Sequence, residues 1–162
     1  MSLFPPLFSE RGAELALYYL ETSALVKLYV HEEGTSQLLR LTYDPASQFA
    51  ILSLAQVELR AAIRRRQRMG EIPQPAADVL LESFRQHSEQ TFLVQPFSES
   101  LLDVAFALLD AYALRGYDSM QLAGYLMLRS VSGADQPVFV CADKSLLSAA
   151  ASEGCRVLDP CS

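Results

Sequence analysis

Short apolar segments alternate with longer amphipathic segments along most of the chain. Five apolar runs have the length of strands, at Leu15–Glu21, Phe49–Ser53, Thr91–Pro96, Pro137–Ala142 and Cys155–Asp159. Continuously apolar strands separated by helices are typical of parallel sheets that are covered on both faces. The pattern therefore predicts a three-layer α/β/α sandwich with a mostly parallel sheet of four to five strands.

Helices are predicted between these strands from capping residues, breakers and periodicity. Thr22 and Ser23 cap a first helix that extends to about residue 33 and is closed by Gly34. Ser53 and Gln56 form a capping box for a later helix that ends near Arg68. The remaining helices are expected at residues 35–42, after Pro75 to about 90, and at 99–114, 119–130 and 144–152.

The length of the chain, 162 residues, corresponds to one domain. We predict this domain over residues 15–162, preceded by an N-terminal arm over residues 1–14 that Pro5 and Pro6 interrupt. No apolar run reaches the roughly 18 residues that a membrane span needs. The first residues also lack the basic segment of a signal peptide, so we expect a cytoplasmic protein. The three cysteines form no Cys-x-x-Cys pair of the kind that binds zinc. We therefore expect reduced thiols and no zinc site.

The net charge of −6 would by itself disfavour a nucleic-acid partner. However, 11 of the 13 basic residues are arginine, which binds phosphate oxygens in pairs. We predict RNA-backbone contacts from a group of basic residues: Arg64, Arg65, Arg66, Arg68, Lys27 and Lys144. The alternative for the arginine cluster is a solvated helix end that complements the helix dipole.

Two glutamates lack a local structural reason. Glu21 ends the first strand, and Glu58 lies in a helix whose neighbouring positions are small and apolar, without a basic partner. A buried carboxylate without a partner is costly, and a cation removes that cost. A solvated position at the flank of the helix is the alternative for Glu58.

Two aspartates begin later helices. Asp118 and Gln121 have the spacing of a capping box, and Asp143 follows the fourth apolar run directly. Capping is therefore a sufficient explanation for either aspartate taken alone. Since ligand sites in such sheets lie beyond the carboxyl ends of the strands, we expect all four acids to converge there.

Four converging carboxylates suit a hard divalent cation with oxygen ligands, because like charges otherwise raise each other's pKa. Mg²⁺ takes only one or two direct carboxylates, which leaves room for a phosphate and a water. Without these four acids, the net charge of the chain falls from −6 to −2, so the objection to an RNA substrate weakens.

Four segments resemble the PIN domain family, in particular the VapC-type toxin ribonucleases. They are YYLETSALVKLYVHEEGT, LSLAQVELRAAIRRR, LRGYDSMQLAGYL and VCADKSLLSAA, and they extend the similarity from about Ala16 to Asp159. Their order and spacing fit the family.

This resemblance implies a PIN-like sandwich with an acidic pocket for Mg²⁺ or Mn²⁺ and endonucleolytic cleavage of RNA. Position by position, the implied catalytic and metal-binding acids are Glu21, Glu58, Asp118 and Asp143. Ser23 matches the hydroxyl residue beside the metal, and Thr22 the small polar residue before it. The resemblance further implies a cognate antitoxin that inserts a basic residue into the pocket, and a homodimer.

The chain departs from the family pattern at its first acid, where Glu21 replaces the usual Asp. One more methylene moves the carboxylate by about 1.5 Å, while Mg²⁺ tolerates little deviation in its bond lengths. A catalytically weak or inactive module that binds RNA or a protein is therefore the alternative function. A phosphatase is disfavoured because Glu21-Thr22-Ser23 offers no nucleophilic Asp at the end of the first strand.

Overall fold

The computed structural model describes residues 15–133 and 136–162, and the predicted arm over residues 1–14 lies outside these ranges. Five strands form one sheet in the order β3-β2-β1-β4-β5, and every neighbouring pair is parallel. The strands are β1 (Ala16–Leu20), β2 (Ser47–Leu52), β3 (Leu93–Gln95), β4 (Val138–Val140) and β5 (Arg156–Leu158). This confirms the predicted α/β sandwich and makes β1 the central strand.

Seven α-helices connect and cover the strands in the described part of the chain. They are α1 (Thr22–Leu25), α2 (Thr35–Thr42), α3 (Leu54–Arg68), α4 (Gln74–Gln90), α5 (Glu99–Ala111), α6 (Gly116–Val131) and α7 (Lys144–Ser152). Helix α1 continues as one 3-10 turn over Val26–Leu28. The predicted bounds of α2 and α7 are confirmed, whereas α6 begins three residues before its predicted start.

The helix expected to reach residue 33 is wrong, since helical structure ends at Leu28. The hydroxyl of Thr35 explains this, because it donates to the carbonyl oxygen of Lys27 at 2.9 Å and accepts from the backbone N–H of Glu32 at 3.0 Å. These bonds hold the chain in a loop. Gly34 follows with φ of +89°, and a Cβ there would approach the carbonyl oxygen of Pro160 to 2.8 Å.

The capping box predicted at Ser53 is also wrong. Ser53 makes no side-chain capping bond to α3. Its hydroxyl instead accepts from the backbone N–H of Phe97 at 3.1 Å, which ties the loop after β3 to the end of β2. A tertiary contact thus replaces the local one.

The two faces of the sheet bury separate apolar clusters, as alternation along the strands requires. On β1, Leu20 faces the cluster under helices α1 to α4, and Tyr19 faces the cluster under α5 to α7. Both clusters meet at β1, so the residue after Leu20 emerges at the centre of the sheet edge. Within residues 15–133 and 136–162, no helix has the length and apolar character needed to cross a bilayer.

Candidate acidic site at the carboxyl edge of the sheet

A cleft of about 460 Å³ opens beyond the carboxyl end of β1. Three of the four predicted acids line it: Glu21 after β1, Glu58 from α3 and Asp118 from α6. The other lining residues are Thr22, Ser23, Ala61, Ala62, Arg65, Arg115 and Tyr117. The cleft lies where a parallel sheet places its ligand site, because all strand ends meet at this edge.

Glu21 is 5% exposed and caps α1 with its own carboxylate. Its Oε2 atom accepts from the backbone N–H of Ser23 at 2.8 Å, from the Ser23 hydroxyl, and from the Cys141 thiol at 3.4 Å. Burial raises the pKa of Glu21 most strongly, and the negative charge of Glu58 raises it further, while the hydrogen bonds from Ser23 and Cys141 act in the opposite direction. Ser23 therefore orients the first acid, which also anchors a helix.

Glu58 is half-buried in the cleft wall and has two strong donors. Its Oε2 atom accepts from the Thr22 hydroxyl at 2.7 Å and from the Gln121 amide at 2.6 Å. The alternative of a solvated position at the helix flank is therefore wrong. Glu58 is fixed by partners that come from α1 and α6.

Asp118 and Asp143 are joined through Arg115. The guanidinium donates to Asp118 through Nε at 2.8 Å and lies within 3.4 Å of Asp143 Oδ2 through Nη2. Asp118 lies in the first turn of α6, whose cap is Arg115, so the predicted capping box does not form and Gln121 binds elsewhere. Asp143 does cap α7, since its Oδ1 accepts from the backbone N–H of Leu146 at 3.0 Å.

The donor set has the hard oxygen chemistry that Mg²⁺ and Mn²⁺ prefer. In the part of the chain that the structure describes, no three acid, histidine or cysteine side chains surround one point with the geometry of a metal site. Arg115 supplies the positive charge between two of the acids. Since Mg²⁺ needs only one or two direct carboxylates, the oxygen chemistry of Glu21 and Glu58 is compatible with such an ion.

Several basic residues predicted to contact RNA form ion pairs within the protein. Lys27 is buried and pairs with Glu32 at 2.8 Å, and Arg66 pairs with the same glutamate at 2.6 Å. Arg64 pairs with Asp78 at 2.7 Å. The Lys27 ammonium is buried, whereas Arg64 and Arg66 form their pairs at the partly exposed surface, and none of the three residues lines the cleft.

The other three predicted contacts lie on the surface. Arg65 lines the acidic cleft, and Arg68 is exposed at the end of α3. Lys144 is exposed beside a second cleft, next to Tyr112 and Ser145. Arg65 is thus the member of the predicted set that lines the same cleft as the acids.

Four residues of the site were not assigned from the sequence. Arg115 and Tyr117 line the cleft, and they precede Asp118 directly in the segment LRGYDSMQ, which offered a local signal. Gln121 and Tyr19 contact each other across 102 positions of the chain. A contact over this distance in the sequence cannot be predicted from a local pattern.

The raised pKa of Glu21 makes the metal-free protein sensitive to pH. A group whose pKa is higher when folded stabilises the fold below its unfolded pKa, and this stabilisation is lost as the pH rises through the folded value. In a chelator-containing buffer, we expect Glu21→Gln to melt at a higher temperature than the wild type near pH 8. The difference should shrink towards pH 4, measured by thermal unfolding followed by circular dichroism.

The matched control for this experiment is Asp103→Asn, which neutralises an exposed carboxylate on α5. It should shift the melting temperature little and without the same dependence on pH. A Glu21→Gln effect that stays constant between pH 4 and pH 8 would contradict the assigned cause.

Solved structures share this fold at low sequence identity. A toxin-antitoxin complex from Klebsiella pneumoniae matches with 18% identity and a TM-score of 0.56, over 88% of this chain and 97% of that chain. FitAcB from Neisseria gonorrhoeae matches with 14% identity and a TM-score of 0.60, over the same shares. PAE2754 from Pyrobaculum aerophilum matches with 24% identity and a TM-score of 0.56, over 94% and 90%.

No family model matches the sequence, and no curated protein matches it either. The likeness is therefore one of three-dimensional structure. It extends over nearly the whole length of each similar chain, so it concerns the complete sandwich and not a shared fragment. Together with the parallel order β3-β2-β1-β4-β5, it shows that the chain shares the α/β/α sandwich fold of these structures, as expected for a PIN-like architecture.

Proposed function

We propose that the protein is a metal-dependent endoribonuclease that hydrolyses RNA phosphodiester bonds. The observation that carries the proposal is the acidic cleft at the carboxyl edge of the sheet, lined by Glu21, Glu58 and Asp118. Asp143 is linked to this cleft through Arg115. Acids contributed by separate elements of the fold, each held by a positioned donor, are hard to explain by stability alone.

Two carboxylates keep an oxygen for a cation. Within residues 15–133 and 136–162, every hydrogen bond to the carboxylates of Glu21 and Glu58 goes to Oε2, so Oε1 of each has no partner there. These two residues would hold Mg²⁺ or Mn²⁺, together with Asp118 and Asp143 once Arg115 turns away. When bound, the metal supplies Lewis-acid stabilisation and lowers the pKa of a coordinated water.

The mouth of the cleft has the chemistry of a single-stranded RNA site. Arg65 and Arg115 line it and offer planar donors to phosphate oxygens. Tyr117 is 60% exposed in the same lining, which makes its ring available for stacking on a base. Arg68 and Lys144 extend the proposed backbone contacts along the surface.

A toxin role follows from the same reasoning. One of the similar structures is a toxin-antitoxin complex, and the cleft of this chain is acidic enough to receive a basic side chain of a partner. The proposed partners are therefore an RNA substrate, a cognate antitoxin and a second copy of the chain.

The proposal is tested by incubating the purified protein with an RNA that contains long single-stranded segments, with Mg²⁺ or Mn²⁺ and with excess chelator. Cleavage is expected with either ion and should stop on chelation. Gel mapping of the ends separates internal cuts from exonuclease trimming. If neither ion supports cleavage, the proposal fails. The alternative is then a catalytically inactive module that binds RNA or a protein.

A further inference from the structure

We infer that Tyr19 and Gln121 are positioning residues that fix the carboxylate of Glu58 in the acidic cleft. This inference deepens the proposed function and rests on it. Neither side chain lines the cleft, and both are fully buried. They act on the site through a chain of hydrogen bonds that begins in the core.

The chain of hydrogen bonds has one consistent direction. The Tyr19 hydroxyl donates to Gln121 Oε1 at 3.0 Å. At the other end of the amide, Gln121 Nε2 donates to Glu58 Oε2 at 2.6 Å and lies 3.0 Å from Thr22 Oγ1. Thr22 in turn donates to the same oxygen of Glu58 at 2.7 Å.

Tyr19 decides which end of the amide faces Glu58. An amide can turn over and exchange its oxygen and nitrogen, but the turned amide would direct Oε1 at a carboxylate that only accepts. A hydroxyl that donates to Oε1 favours the productive orientation. A tyrosine hydroxyl carries its proton at neutral pH, so it can donate to Oε1.

The packing around Tyr19 leaves its hydroxyl little freedom. Its ring stacks on Phe139 and meets Tyr125 edge to face, with centroids 5.8 and 5.9 Å apart. A Cβ on Gly124 would lie 2.6 Å from the hydroxyl oxygen, so α6 comes close to Tyr19 here only because position 124 lacks a side chain. The hydroxyl is therefore held against Gln121 by the core itself.

These hydrogen bonds fix the orientation of the Glu58 carboxylate in the cleft. Thr22 and Gln121 both act on Oε2 of Glu58, which turns the carboxylate so that Oε1 has no partner in the described chain. Groups that orient a metal ligand typically contribute about 10- to 100-fold to metal affinity or activity. The carboxylate of Glu58 should lose part of its affinity for a cation when this orientation is lost.

The test compares Tyr19→Phe with Tyr125→Phe. Both variants remove one buried hydroxyl from the same apolar cluster. The hydroxyl of Tyr125, however, donates to the carbonyl oxygen of Pro137 and takes no part in the hydrogen bonds that lead to Glu58. We expect Tyr19→Phe to weaken Mn²⁺ binding about tenfold in isothermal titration calorimetry. Tyr125→Phe should bind Mn²⁺ within about twofold of the wild type. In RNA cleavage, Tyr19→Phe should lower kcat and leave KM unchanged.

A second variant tests whether Gln121 belongs to the same series of hydrogen bonds. Gln121→Met keeps the length of the side chain and removes the amide, and its loss of Mn²⁺ affinity should equal or exceed that of Tyr19→Phe. The double variant should lose no more than Gln121→Met alone, because the two residues act in series.

The outcomes separate the two proposals. If the wild type binds no Mn²⁺ and cleaves no RNA, the proposed function fails. If the wild type does both, and Tyr19→Phe and Tyr125→Phe lose equal affinity, the inference is overturned and Tyr19 is merely part of the core. Additive losses in the double variant would also overturn it.

Discussion

Replacing Asp118 with Asn should lower the rate of RNA cleavage by at least about 100-fold, a loss of about 2.7 kcal/mol of transition-state stabilisation. Asp118 lines the acidic cleft with only 15% of its side chain exposed. Asn keeps the shape of the side chain but removes the negative charge that a divalent cation needs. The rate is best measured in single turnover at saturating Mg²⁺, with circular dichroism to confirm the fold.

Asp110→Asn is the matched control, since it removes the same charge from an exposed position on α5. Its cleavage rate should stay within about twofold of the wild type. If Asp118→Asn cleaves RNA at the rate of Asp110→Asn, Asp118 has no part in the reaction. The proposed site would then have to be abandoned.

Gly124→Ala should lower the free energy of unfolding by about 1–3 kcal/mol and reduce RNA cleavage as well. The added Cβ would lie 2.6 Å from the Tyr19 hydroxyl and 3.3 Å from Leu52 Cδ1. Tyr19 is a rigid ring without exposed surface, so it cannot turn aside as a flexible chain end would. The better helix propensity of Ala, worth up to about 1 kcal/mol, offsets only part of this cost.

The control lies in the same helix. A Cβ on Gly116 meets nothing within 4 Å, so Gly116→Ala should be neutral or slightly stabilising. Urea unfolding of both variants measures the difference directly. If Gly124→Ala is as stable as Gly116→Ala, the close approach of α6 to Tyr19 does not contribute to the free energy of unfolding.

The layered architecture could be predicted because it depends on local patterns. Each strand is a short apolar run, and the parallel arrangement follows from the helices between the runs. The same argument places Glu21 and Asp143 at one edge, because Glu21 directly follows β1 and Asp143 comes three positions after the end of β4. Local periodicity thus carries information about the sheet and about the residues at its ends.

The predicted capping boxes are wrong because a polar side chain in each binds a residue distant in the sequence and not the nearby helix end. Ser53 and Gln121 both have the spacing of capping residues, yet they bind Phe97 and Glu58 instead. A capping bond and a tertiary bond have similar energies, so burial in the assembled fold decides between them. The roles of Gln121 and Tyr19 could not be predicted because they depend on contacts between residues about 100 positions apart.

Arg115 closes over two of the acids with a side chain that is 77% exposed. A long exposed side chain changes rotamer in picoseconds to nanoseconds, far faster than any rearrangement of the backbone. Admitting the proposed cation to Asp118 and Asp143 would therefore require a rotamer change of Arg115, with the sheet and helices left in place. The speed at which this cleft fills should be set by the dehydration of the arriving ion and not by any movement of the fold.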